Sequence, residues 1–300
     1  MIYHPTIKQL QYLIALHRSH HFGRAAEASH VTQSTLSAGL RELETLLGVS
    51  LVERNRRIVR FTPLGESIVK RAYSLLGEAD AITELARASG QPLSGELRLG
   101  VIPTIAPFLL PRLLQRLRAD WPSLKLFLRE EQSAPACEAL NRGQLDCLLL
   151  ALPYQCGEID SETLFEDPIR LAFHPADLPD PPPAIHPEGI DESRLLLLED
   201  GHCLKDHALA ACSRATFRPD SSVLGTSLHT LVQMVENRIG LTLLPQMAID
   251  AGILAQTAIE TRPLASPDAS RTIALAWRPS SPRADEYRLF AQALKAAAAR

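Results

Sequence analysis

Cys203 and Cys212 lie nine residues apart in the stretch Leu-Glu-Asp-Gly-His-Cys-Leu-Lys-Asp-His-Ala-Leu-Ala-Ala-Cys. The nucleophilic form of cysteine is the thiolate, and at a pKa of about 8.5 a free cysteine is mostly protonated at neutral pH. Cys203 follows an Asp-Gly turn signal, so it stands at the expected start of a helix, where backbone N–H groups favour negative charge. Lys205 adds a positive charge nearby. If the alanine-rich run is one helix, nine steps of about 1.5 Å hold the two Cα atoms ~13 Å apart. A disulfide accepts about 4.4–6.8 Å. The two sulfurs can therefore bond only if the segment refolds, and a reactive thiol whose oxidation forces refolding is a switch. Two other readings compete. The cysteines can be inert core thiols, or they can join His202 and His207 around a metal. The spacing matches no common metal motif and Lys205 opposes a cation, so neither metal nor cofactor is expected. Of the remaining cysteines, Cys147 lies in an apolar strand and Cys137 on an expected helix. Cys156, in a loop before Gly157, is a candidate for a side role in oxidation.

Three hundred residues suggest two or three domains with ample core. No apolar run approaches the ~18 residues of a membrane span, and the N-terminal residues lack a signal-peptide pattern. The expectation is a cytoplasmic protein without membrane association, in which a cysteine pair is transient and redox-active rather than a structural framework. The net charge of −3 hides an asymmetry. Residues 1–62 carry eight Lys/Arg against four Asp/Glu, whereas the remainder is acidic. A basic head on an acidic body points to nucleic-acid contact by the head.

The elements that position these residues follow in chain order. Thr6 caps a first helix with apolar Ile7, Leu10, Leu13, Ile14 and Leu16, interrupted at His20–His21. Phe22–His30 is a second, short helix. Thr32 is an N-cap for a third, Gln33 to about Leu47, whose Leu36, Leu40, Leu43 and Leu47 form one buried face. Gly48 ends it. The opposite face presents Gln33, Ser34, Thr35, Ser37 and Arg41, short polar groups at the helix end that enters the major groove in helix-turn-helix proteins. Residues 51–62 are expected to form a two-stranded wing, with Arg54, Arg56, Arg57 and Arg60 suited to phosphates. Thr62-Pro63 starts a helix to about Ser89. Its Ile68, Ala72, Leu75, Ala79, Ile82 and Ala86 make a heptad seam, assigned to dimerisation because it has no expected partner in the first domain. After the linker Gly90–Gly95, strands alternate with helices: Glu96–Val101, Leu124–Arg129, Asp146–Leu152, Ile169–His174, Arg194–Leu198, Ser222–Gly225, Leu241–Leu244 and Thr272–Trp277. This pattern is α/β.

This order resembles the LysR-type transcriptional regulators. Phe22 to Leu46 carries the resemblance, with Leu47–Arg54 and Phe61–Gly65. Ser34 departs from a frequent proline, and serine still suits a first helical turn. Four further stretches are similar to the hydrogen-peroxide-sensing members of that family: Gly100–Pro111, Gly143–Ala151, Leu197–Asp206 and Arg271–Pro279. The resemblance implies a winged helix-turn-helix over 1–62, a linker helix over 63–90 and a regulatory domain over 91–300. It further implies that the last consists of two Rossmann-like subdomains, about 91–166 with 268–300, and 167–267, joined by a two-strand hinge as in periplasmic solute-binding proteins. A homodimer or homotetramer on an extended operator, contacting RNA polymerase, is implied as well.

By the same resemblance, Cys203 is the peroxide-reactive thiol and Cys212 the resolving thiol. Peroxide donors fall on Thr104, His202 and Ser133, with Lys205, Asp206 and Arg271 supporting the pocket. Serine at 133 and lysine at 205 depart from the usual threonine and arginine, which bears on peroxide affinity. Attack gives a sulfenic acid that condenses with Cys212, and glutaredoxin- or thioredoxin-type reductants reset the protein. The implied function is a peroxide-responsive activator of antioxidant genes and not an enzyme. The alternative is a regulator of the same family that binds a small organic effector between the subdomains, with silent cysteines.

Overall fold

The computed structural model describes residues 4–54, 59–87, 92–212 and 224–298. The chain divides into two compact units, Met1–Ser89 and Gly90–Arg300.

The first unit opens with α1 (Ile7–Ser19), α2 (Phe22–Ala28) and α3 (Gln33–Leu47). Thr6 starts α1 with a reciprocal cap: its hydroxyl accepts from Gln9 N–H and its own N–H donates to the Gln9 side chain. Thr32 Oγ1 accepts from Thr35 N–H at the start of α3, and Gly48, at φ 67°, ends it. The apolar faces meet in one core that joins Leu10, Leu13 and Leu16 to Ala25, Ala26, Leu36, Leu40 and Leu43. A Cβ at Gly39 would stand 2.9 Å from the Tyr12 ring, so α1 and α3 cross at glycine contact. β1 (Val52–Arg54) and β2 (Val59–Phe61) pair antiparallel as the wing. Thr62 Oγ1 accepts from Gly65 N–H and begins α4 (Pro63–Arg87). One expectation for α4 needs correction. Val69, Ala72 and Tyr73 are buried in the same core as α1, and Arg18 Nε donates to Tyr73 Oη at 3.2 Å. The early part of α4 therefore has a partner inside its own unit, and Ala72 belongs to that packing. Leu75 and Ile82, further along, are exposed.

The second unit runs β3 (Gly95–Val101), α5 (Ala106–Asp120), β4 (Leu124–Glu130), α6 (Ser133–Asn141), β5 (Cys147–Leu152), β6 (Asp160–Phe173), β7 (Leu195–Leu198), α7 (Cys203–Ala211), β8 (Leu224–Gly225), α8 (Leu228–Glu236), β9 (Leu241–Pro245), α9 (Gln246–Asp250), β10 (Glu260–Pro263), β11 (Ser270–Trp277) and α10 (Ala284–Ala298). The strand order is β4-β3-β5-β11-β6-β9-β7-β8, with β10 also on β6. β3 is parallel to β4 and β5 at one end, and β7 is parallel to β8 and β9 at the other. Antiparallel β6 and β11 run between these halves. Residues 160–168 of β6 pair with β11, and 169–172 pair with β9. Each half has its own core: one around Leu99, Leu149, Leu140 and Phe290, the other around Leu171, Leu196, Val232 and Leu244. The fold is thus two α/β subdomains joined through shared strands.

β6 is longer than its expected segment, Ile169–His174, because Pro168 lies inside it. Proline lacks the N–H that a ladder needs, so it reads as a strand boundary. Here Pro168 closes the stretch paired with β11, just before pairing passes to β9.

Candidate functional site

Cys203 opens α7 and is 2% exposed. The turn before it needs glycine: Gly201 has φ 102°, and a Cβ there would lie 2.5 Å from Gln132 Oε1. Ser133, the first residue of α6, is docked on that turn through its amide, which donates to Gly201 O at 3.2 Å. Its hydroxyl is buried with no hydrogen-bond partner among the described residues, and it favours the Cys203 thiolate. The Ala151 amide at the end of β5 and the Arg271 charge also favour its thiolate. Burial outweighs all of these, and the net effect is to push the Cys203 thiol up. The expected lowering by the helix start and Lys205 is therefore not what the surroundings produce. Lys205 Nζ instead pairs with Asp200 Oδ1 at 2.6 Å, beside an exposed carboxylate. Asp206 is exposed and pushes the Cys203 pKa further up.

Arg271 on β11 is fully buried, and its fork joins two elements. Nη1 donates to Thr104 Oγ1 (2.9 Å), Nη2 to Thr104 O (3.0 Å) and Nε to Asp167 Oδ2 (3.0 Å). Asp167, on β6, also accepts from Met247 N–H at 2.8 Å. Sequence reasoning missed Asp167, because Glu-Asp-Pro carries the look of a loop. Burial pushes the Asp167 carboxyl up despite the guanidinium. The residue nevertheless holds Arg271, and through it the Thr104 hydroxyl, in a fixed place.

His202 is the N-cap of α7. Gln132 Nε2 donates to Glu199 Oε1 (3.2 Å) and lies 3.3 Å from His202 Nε2. With Nε2 accepting, the ring proton sits on Nδ1, a buried donor with no partner among the described residues. Burial lowers the His202 pKa and keeps the ring neutral. A cleft of about 370 Å³ opens here, lined by Thr104, Phe108, Glu131, Gln132, His202 and His229 among others. Thr104 and His202 face this cleft, while Cys203, Ser133 and Arg271 do not line it. His207, one turn along α7, bonds the Pro153 carbonyl through Nε2 at 3.0 Å. Its Nδ1 is left as a buried acceptor without a partner among the described residues.

Cys212 caps the other end of α7 and is 3% exposed. It belongs to the second core, whereas Cys203 belongs to the first. Nine helical steps hold the two Cα atoms about 13 Å apart along the axis. The structure also contains a bond that sequence reasoning missed: Cys137 and Cys156 form a disulfide, with Cα atoms 5.1 Å apart. Cys156, expected in an exposed loop, is buried. Cys147 is a buried thiol in β5, as its apolar strand predicts. Among the described residues no cluster of three or more His, Cys, Asp or Glu side chains is placed to hold a metal ion, and no helix is long and apolar enough to cross a membrane.

On the first unit, Gln33, Ser34, Thr35 and Arg41 are exposed along α3 and Ser37 is half-buried. The Thr32 hydroxyl lies 2.8 Å from those of Ser34 and Thr35. Arg60 is exposed on β2 and Arg54 ends β1. Arg56 and Arg57 lie outside the described residues.

Comparison with known proteins follows this division. Residues 7–66 match the bacterial regulatory helix-turn-helix family of lysR type, and residues 90–299 match the LysR substrate binding domain. The chain is 42% identical to the HTH-type transcriptional regulator EstR of Acinetobacter baylyi over 300 residues, 97% of this chain and 96% of that one. It is 39% identical over 294 residues to the hydrogen peroxide-inducible genes activator of Escherichia coli O6:H1, covering 97% and 95%. A full-length OxyR structure from Pseudomonas aeruginosa superposes with a TM-score of 0.79 at 36% identity, covering 98% of this chain and 95% of that one. Helix-turn-helix, wing and two-subdomain body thus agree with both family models, and the chain belongs to the LysR family: it is a DNA-binding transcriptional regulator, not an enzyme.

Proposed function

We propose that this regulator senses hydrogen peroxide through Cys203. One observation carries the reading. Cys203 and Cys212 sit at opposite ends of one short helix, in two different cores, and the first is surrounded by Ser133, Ala151 and Arg271. The likeness to peroxide-inducible activators and to OxyR supports it. Peroxide enters past Thr104 and His202. The Cys203 thiolate attacks one oxygen, the O–O bond breaks, and the other oxygen leaves with a proton as water. The neutral His202 Nδ1–H and the Ser133 hydroxyl, both buried without a partner among the described residues, are the donors offered to this charge. The sulfenic acid then condenses with the Cys212 thiol, releasing a second water and forming the disulfide.

That bond requires α7 to unwind and pulls residues of two cores together, so subdomain packing changes. Protomers associate through the exposed stripe of α4 into a homodimer or homotetramer. The spacing of their α3 helices on operator DNA then changes, and with it the contact with RNA polymerase. Antioxidant genes are the expected targets. A glutaredoxin- or thioredoxin-type dithiol reverses the bond.

The test is mass spectrometry of the reduced full chain after about one equivalent of peroxide, with remaining thiols alkylated. The expected product is a Cys203–Cys212 disulfide that is absent in Cys203→Ser. If both cysteines are alkylated and unoxidised, peroxide sensing is wrong. A small organic effector in the cleft beside Phe108 and His229 then becomes the reading to pursue, as the likeness to EstR equally allows.

A further inference from the structure

Two walls enclose Cys203, and one covalent bond ties them together. The first wall is α6. Its first residue, Ser133, places a buried hydroxyl at the Cys203 sulfur and docks by its amide on Gly201, two residues before Cys203. Cys137 lies one turn further along the same helix, on the same face as Ser133. The second wall is the segment 151–156. The Ala151 amide favours the Cys203 thiolate, the Pro153 carbonyl accepts from His207 of α7, and the segment ends at Cys156. The Cys137–Cys156 disulfide joins the two. A hydrogen bond runs beside it, from Asn141 Nδ2 at the end of α6 to the Cys156 carbonyl at 2.9 Å. Both bonded cysteines are buried in the same core as Cys203.

We propose that Cys137–Cys156 is a second redox couple that arms the Cys203 site by bracing the two walls that present Ser133 and Ala151 to the sulfur. The inference rests on peroxide sensing at Cys203. Closed, the brace fixes the donor hydroxyl and the backbone amide against the reacting atom. Opening it takes two electrons and two protons from a dithiol of the thioredoxin class. Two thiols form, and the reductant leaves as its own disulfide. Closing is the reverse exchange, with glutathione disulfide as oxidant. A strongly reducing thiol pool therefore blunts the sensor, and a more oxidising pool sharpens it before peroxide arrives.

The experiment uses the full chain carrying Cys212→Ser, so that the Cys203 sulfenic acid persists and can be trapped with a 1,3-diketone. The protein is equilibrated in glutathione buffers of graded potential and exchanged into glutathione-free buffer before peroxide is added, because glutathione itself condenses with a sulfenic acid. The Cys137–Cys156 fraction is read by alkylation and mass spectrometry, and the rate of Cys203 oxidation by peroxide is measured at each point. The expected result is a rate that follows the bonded fraction and falls at least about threefold when the brace is open, since small misplacements of reacting groups are costly. The chain with Cys137→Ser and Cys156→Ser added should react at the slow rate at every potential and bind operator DNA unchanged. A rate indifferent to the bond, or a bond that forms at no potential, overturns the proposal. Hydrogen exchange of the peptides containing Ser133 and Ala151 reports on the brace without peroxide, and should rise at least about threefold on opening. If Cys203 reacts in neither state, peroxide sensing fails; unchanged exchange sinks the brace by itself.

Discussion

At the scale of single residues, the Cys203 site is governed by burial. Desolvation raises the thiol pKa more than Ser133, Arg271 and the Ala151 amide lower it. At neutral pH the group is mostly protonated, and the thiolate fraction grows about tenfold per pH unit below the pKa. The rate of Cys203 oxidation by peroxide should therefore keep rising from pH 6 to pH 8.5; a plateau by pH 7 in stopped-flow traces would contradict this. Arg271 gives a second test. Replacing it by methionine leaves Asp167 buried without its cation, at a cost of about 3–5 kcal/mol in denaturant unfolding at pH 7. The carboxyl, already pushed up by burial, would then rise further above its unfolded value. The variant's deficit should shrink as pH falls toward about 4, where the unfolded chain also takes up the proton. A deficit independent of pH would mean that Asp167 finds another partner.

At the scale of elements, α7 is the part that the proposed disulfide requires to yield. It is nine residues long, begins at Cys203 and is capped by Cys212. Ala210 is exposed on it, so Ala210→Gly removes helix propensity without touching a core. The loss of about 1 kcal/mol should speed closure of the disulfide from the sulfenic acid about fivefold, with the peroxide step unchanged. Equal closure rates would show that α7 does not unwind on the way. Helix boundaries here were legible in sequence because their signals are local: Thr6, Thr32 and Thr62 cap their helices as their types dictate. β6 was not, because Pro168 looks like a boundary until the pairing change around it is seen.

At the scale of the molecule, the basic first unit meets DNA as a surface. Arg41 and Arg60 are exposed, and removing one phosphate-binding cation should lower the salt slope of operator binding by about one. Arg41→Ala and Arg60→Ala, titrated by fluorescence anisotropy across salt, test this; an unchanged slope removes that residue from the interface. Assembly is a separate property. Ile82 is 73% exposed on α4, and Ile82→Lys should lower the mean mass in sedimentation if that stripe joins protomers. The same mass would send the search to another face.

The sequence by itself determined what depends on neighbours along the chain: the caps and seams of α1 to α3, the wing, the α/β alternation and the placement of two cysteines at the two ends of one helix. Periodicity and capping act within a few residues, so sequence carries them. Only the tertiary structure decided which groups surround Cys203. Ser133 from α6, Ala151 from β5 and Arg271 from β11 converge on the start of α7 through sheet order, and Asp167 enters only because β6 runs beside β11. Lys205, close in sequence, turns to Asp200 instead. Cys137 and Cys156, nineteen residues apart, meet because α6 and the segment after β5 pack in one core. Charge, burial and bond partners at a site are sums over space, and residue spacing along the chain does not contain them.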